Sequence, residues 1–201
     1  VAFTPDRAHI LVADIYTGAI WRVSVADENV EKIHQHEYGV NSAIADASGA
    51  IWFTQSAANA RGAGSEAAMY DALDKSRAEG KLFRLSTDGT AQLAADGFYF
   101  ANGLAIDAQR GRLYLAETMA DRIVSFSIAQ STGALSDKRV LASVVSPDNV
   151  KLGRGGAVYV ASPALNALMV VDPETGASRP YFRAGGPDNE AALETWRAGK
   201  A

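Results

Sequence analysis

Four stretches of the chain follow one pattern: His9-Ile-Leu-Val-Ala-Asp14, Ala50-Ile-Trp-Phe-Thr-Gln55, Arg112-Leu-Tyr-Leu-Ala-Glu117 and Ala157-Val-Tyr-Val-Ala-Ser162. Each is a run of aliphatic and aromatic residues that closes on a small residue and then a polar one. β-Branched and aromatic residues in runs of this length predict strands. The closing polar residues lie 41, 62 and 45 residues apart. A period of about 40–50 residues is that of a β-propeller blade.

The surroundings of each run repeat as well. A short apolar strand precedes it, at 1–3, 42–45, 103–106 and 150–152, and a turn rich in Gly, Asp or Pro joins the two. A third strand follows at 19–23, 81–85, 122–126 and 168–171, and a fourth at 30–33, 91–93, 139–141 and 179–182. Four antiparallel strands repeated four times predict an all-β fold, a β-propeller of about four blades. The blades fall at about 1–36, 37–96, 97–143 and 144–184, with a tail at 185–201, within one domain over 1–201. Residues 189–198 of the tail suit a short amphipathic helix. An open array leaves unpaired strand edges, which natural sheets avoid, so the chain reads as part of a longer propeller. The second blade is long because 56–79 interrupt it. The Gly/Ala/Ser-rich first half reads as loop and 66–77 as a short helix, the whole being a lid or a mobile loop.

Composition narrows the function. Lys plus Arg number 19 against 23 Asp plus Glu, for a net charge of −4. That balance offers no attraction to nucleic acid or an anionic membrane. No apolar run approaches the roughly 18 residues that span a bilayer, and no signal peptide is visible, so a soluble chain of open compartment is expected. The absence of cysteine excludes disulfides, thiol nucleophiles and zinc–thiolate sites. No phosphate-binding glycine motif, serine nucleophile elbow or HExxH motif is present. His34 and His36 share one face of an outer strand and read as solvated surface. Phe98, Phe100, Trp21 and Trp52 read as packing between blades.

The remaining chemistry collects at one register. Asn41 lies 14 residues before Gln55, Asn102 lies 15 before Glu117 and Asp148 lies 14 before Ser162. Each therefore begins an innermost strand, and innermost strands line the channel of a propeller. Two amide oxygens and a carboxylate make a hard-oxygen cluster suited to Ca²⁺; other divalent cations fit the same donors, whereas softer metals favour His or Cys. The plainer alternative is that Asn102-Gly103 forms a turn and that Pro147-Asp148-Asn149 orders a loop.

The chain resembles the gluconolactonase / senescence-marker protein / strictosidine synthase-like superfamily, which includes the paraoxonases. The resemblance rests on residues 11–22, 41–55, 80–85, Phe100-Ala-Asn-Gly-Leu-Ala105, 113–123 and Pro147-Asp-Asn-Val150. Tyr70 and Leu73-Asp74 in the long loop look most like the strictosidine synthase-like branch. The resemblance implies a six-bladed propeller with Ca²⁺ at the top of its channel. It implies metal ligation by Asn41, Asn102 and Asp148, in some members also by Asn149, and a lactone or related small ester as substrate. Asn41 is followed by Ser42 where relatives commonly carry Asp. The family's glutamate ligand, the paraoxonase histidine and the strictosidine synthase glutamate have no counterpart here, so the alkaloid-forming condensation is not expected.

The reaction expected is Ca²⁺-dependent hydrolysis, with Asp148 as ligand and general base. Substrate contacts are expected on the same rim, from Tyr16, Tyr70, Glu117 and Met119. Asp14, Gln55 and Glu117 at the strand ends either support the site or satisfy strand-end amides. The rival is a non-catalytic propeller that serves as a ligand- or protein-binding scaffold. Oligomeric state is left open.

Overall fold

The computed structural model describes residues 1–73, 77–129 and 131–199. Within them the chain forms four antiparallel sheets of four strands, paired in sequence order. The first blade is β1 (Ala2–Phe3), β2 (His9–Ala13), β3 (Ala19–Ser24) and β4 (Val30–Gln35). The second is β5 (Ser42–Ala45), β6 (Ile51–Gln55), β7 (Gly80–Leu85) and β8 (Ala91–Phe98). The third is β9 (Ala101–Asp107), β10 (Arg112–Glu117), β11 (Arg122–Ile128) and β12 (Leu135–Ser143). The fourth is β13 (Val150–Leu152), β14 (Val158–Ser162), β15 (Ala167–Val171) and β16 (Ser178–Arg183). The inner strands β1, β5, β9 and β13 pack side by side in that order, which is the arrangement of a β-propeller.

The core lies between blades, and the period of two along each strand puts it there. In β6, Trp52 faces the third blade and packs with Leu104, Leu113 and Val124, whereas its neighbour Phe53 faces the first and packs with Leu11 and Ile20. Between the third and fourth blades, Tyr114 and Ile123 meet Val158, Val160 and Val171. Trp52 and Phe98 are fully buried, as the sequence reading expects. Trp21 is only half-buried, with the Lys32 ammonium 6.0 Å from its ring.

His34 and His36 correct the expectation of solvated surface. From β4 and the residue that follows it, they point into the seam between the first two blades. The His34 ring lies 5.3 Å from Phe53, the His36 ring 4.7 Å from Phe83, and Phe53 stacks on Phe83 at 5.1 Å. His36 Nε2 bonds Gln55 Oε1 at 3.0 Å. Burial among rings holds both imidazoles below the ordinary histidine range. An outer strand still has an inward face, and here that face meets the rings of the second blade.

Among the described residues, two α-helices accompany the sheets. α1 (Ser65–Asp71) is shorter than the expected 66–77; Asp74 and the neighbouring 75–76 lie outside the described residues. Met69 of α1 packs with Ala57, Ala72, Phe100 and Met119. Asn59 bonds Gly39 N at 3.3 Å and Ile15 O at 2.9 Å, tying the interrupting loop across the first seam. α2 (Pro187–Arg197) forms where the tail helix is expected, and Trp196 Nε1 donates to Asp121 Oδ1 at 2.9 Å. Among the described residues no helix is long and apolar enough to cross a membrane.

Candidate functional site

The axial residues owe their place to strand pairing. Asn41 N bonds Thr54 O at 2.9 Å and Asp148 N bonds Ala161 O at 2.8 Å. Both residues therefore sit beside the last turn of pleat of their second strands. Asn102 reaches the same level in β9, where a register shift opposite Leu115 and Glu117 bends the strand. The three thus share one end of the sheets.

Neighbouring inner strands are drawn close there. Gly103 N bonds Asp148 O at 3.2 Å, joining the third blade to the fourth. A Cβ at Gly103 would lie 2.5 Å from Asp148 O and 2.6 Å from Asn149 Cα. Asn102-Gly103 is therefore not a turn; it lies within β9, and the glycine is there because a second backbone passes against it. Toward the second blade, Thr54 Oγ1 donates to Asn102 O at 2.8 Å and Ser56 Oγ donates to Ala101 O at 2.7 Å.

Asn102 is buried, Asn41 and Asp148 are half-buried and Asn149 is exposed. Asn41 Nδ2 donates to Ser56 Oγ at 3.0 Å, and Asn102 Nδ2 donates to Thr118 Oγ1 at 3.1 Å. Burial pushes the Asp148 carboxyl above its ordinary range, and a hydrogen bond from Asn102 opposes that rise. Asn102 Oδ1 is buried with no hydrogen-bond partner among the described residues. A buried amide oxygen left so costs about 1–3 kcal/mol, and such an atom calls for a donor or a cation. A hard cation held by Asn41, Asn102 and Asp148 fits this donor set, which is amide-rich: no three His, Cys, Asp or Glu cluster among the described residues.

The expected substrate contacts divide. Tyr16, in the loop after β2, and Tyr70, on α1, are exposed. Met119 is not a wall of an open cleft: it is 4% exposed and packs under α1 with Phe100. Glu117 is fully buried, and its carboxylate accepts from Arg122 Nε at 2.8 Å, Arg122 Nη2 at 2.9 Å and Tyr99 N at 2.9 Å. This is a strand-end fastening rather than a substrate contact. Asp14 and Gln55 are held likewise, the first by the amides of Tyr16 and Thr17, the second by His36.

Sequence reasoning places residues 56–79 and Thr118 on the pocket rim but misses what the hydroxyls of Thr54, Ser56 and Thr118 do. A signal was present: Ser56 and Thr118 each follow directly on the closing polar residue of a repeat, Gln55 and Glu117.

The sequence profile described as the SMP-30/Gluconolactonase/LRE-like region matches residues 1–182. Over 81 residues, 40% of this chain and 27% of the relative, the sequence is 36% identical to pentonolactonase XacC of Haloferax volcanii. The structure of a gluconolactonase from Xanthomonas campestris superposes with a TM-score of 0.69 at 25% identity, over 92% of this chain and 61% of that one. Regucalcin from Agrobacterium tumefaciens, described as a calcium-binding protein, shares the fold with a TM-score of 0.68 at 15% identity, over 94% of this chain and 64% of that one. The matched segments span about a quarter to a half of the length of the curated relatives.

Proposed function

The chain belongs to the SMP-30/gluconolactonase/LRE-like family, and on that premise we propose that it carries the channel-end site of a divalent-cation-dependent hydrolase, Ca²⁺ being the cation, that opens a lactone or related small ester. The observation that carries the reading is the orphaned Asn102 Oδ1 beside the half-buried Asp148. The lactonase relatives support the substrate class, and regucalcin's description supports the cation.

Asn41, Asn102 and Asp148 would hold the ion, with Asn149 beside them. When bound, Ca²⁺ supplies Lewis-acid polarisation of the ester carbonyl. Asp148 would be the proton acceptor of the set: its carboxylate takes a proton from the water that attacks the carbonyl and returns it to the alkoxide oxygen released as the ring C–O bond breaks. Tyr16, in the loop after β2, and Tyr70, on α1, stand exposed and offer apolar surface to a substrate ring.

Calorimetric titration of metal-stripped protein with Ca²⁺, beside Asp148→Ala, tests this. Wild type binds, the variant does not, and lactone turnover in wild type stops with chelator. An Asp148→Ala protein that keeps both binding and turnover sinks the reading.

A further inference from the structure

We propose that Ser56 and Thr118 are positioning residues that orient the two axial asparagines with their carbonyl oxygens toward the channel; this rests on the cation reading above. A hydroxyl has one proton to give. Ser56 Oγ gives its proton to Ala101 O at 2.7 Å, and Thr118 Oγ1 gives its own to Pro147 O at 2.7 Å. Backbone carbonyls only accept, and among the described residues Pro147 O takes no backbone hydrogen bond, so turning the Thr118 proton elsewhere would leave that carbonyl without a donor. Toward the asparagine each hydroxyl can only accept. The side-chain atom 3.0 Å from Ser56 Oγ, and the one 3.1 Å from Thr118 Oγ1, must then be the amide nitrogen. The oxygen of each amide is left facing away, and at Asn102 that oxygen is the buried, unpartnered atom.

The pattern occurs twice, in consecutive blades, and is missing where it has nothing to do. The fourth blade carries Pro163 directly after β14, which offers no hydroxyl. Its axial residue is Asp148, whose two oxygens are equivalent and need no orienting. The carbonyls that receive the protons also matter, because Ala101 and Pro147 directly precede Asn102 and Asp148. Each hydroxyl therefore couples one axial residue to the backbone that carries the next. Asn41, Asn102 and Asp148 are spaced by hydrogen bonds as well as by packing.

The test compares Thr118→Val with Thr118→Ser, and Ser56→Ala beside them. The Ca²⁺ affinity of Thr118→Val and Ser56→Ala should fall about 10–100-fold, the usual cost of losing a partner that orients a metal ligand. Thr118→Ser should retain wild-type affinity. In metal-free protein, the side-chain amide protons of Asn102 should exchange faster with solvent in Thr118→Val and stay unchanged in Ser56→Ala, which should speed only those of Asn41. Wild-type affinity in Thr118→Val, or an equal loss in Thr118→Ser, overturns the orienting role while the cation reading stands. A wild-type protein that binds no Ca²⁺ overturns the cation reading and this inference with it.

Discussion

Replacing Arg122 with Met should destabilise the protein by about 3 kcal/mol, toward the low end of the cost of breaking a buried ion pair. The structure sets the size. Glu117 is fully buried, and two of the three hydrogen bonds to its carboxylate come from the Arg122 guanidinium, at 2.8 and 2.9 Å. Met keeps much of the apolar stem but leaves the buried carboxylate, among the described residues, with the Tyr99 amide alone. The side chain of Arg122 is 34% exposed, so water screens part of the pair and the upper end of the range does not apply. For a chain of this size about 3 kcal/mol corresponds to a melting temperature lower by roughly 6–12 °C. Thermal and urea unfolding of Arg122→Met, Glu117→Gln and the double variant would measure it. The double variant should recover part of the loss, because the stranded charge is gone while an amide can still accept from Tyr99 N. Arg122→Met within about 1 kcal/mol of wild type, at the level of an exposed pair, would refute the reasoning, as would a double variant less stable than Arg122→Met alone.

Other outcomes follow from the same contacts. Gly103→Ala places a Cβ 2.5 Å from the Asp148 carbonyl, a backbone atom that cannot swing aside; it should cost about 1–3 kcal/mol as overpacking does and weaken Ca²⁺ binding, read by melting temperature and calorimetry. His34 and His36 have folded pKa values held below the ordinary 6.5 by burial. Their contribution to stability is therefore present above about pH 6.5 and is lost as pH falls through the depressed folded values, because the unfolded chain takes up the protons first. Urea midpoints between pH 5 and 8 should fall on the acid side, and His34→Leu should flatten the profile.

The blades were legible because strand alternation is a local property. Trp52 and Phe53 are adjacent in sequence and face different seams in the structure, as a period of two demands. The axial register was legible for the same reason, since Asn41 and Asp148 are fixed by backbone pairing to β6 and β14. Met119 misled because its place under α1 depends on a helix about 50 residues earlier in the chain. Glu117 misled because a strand-end acid reads the same whether it faces a cleft or an arginine, and Arg122 stands across the hairpin, paired with it in register. Gly103 follows an asparagine, a dipeptide that reads as a turn; only the passage of the Asp148–Val150 backbone shows why it is glycine.

The sequence by itself determined the all-β architecture, the four-strand repeat and the level at which Asn41, Asn102 and Asp148 stand. Those follow from side-chain period and spacing, which short-range sterics and hydrophobic patterning set residue by residue. Only the tertiary structure decided which way each axial amide faces and which buried oxygen is left over. That choice is made by single protons on Ser56 and Thr118, spent on carbonyls some 30–45 residues away, and hydrogen bonds of that reach leave no local trace in composition or period.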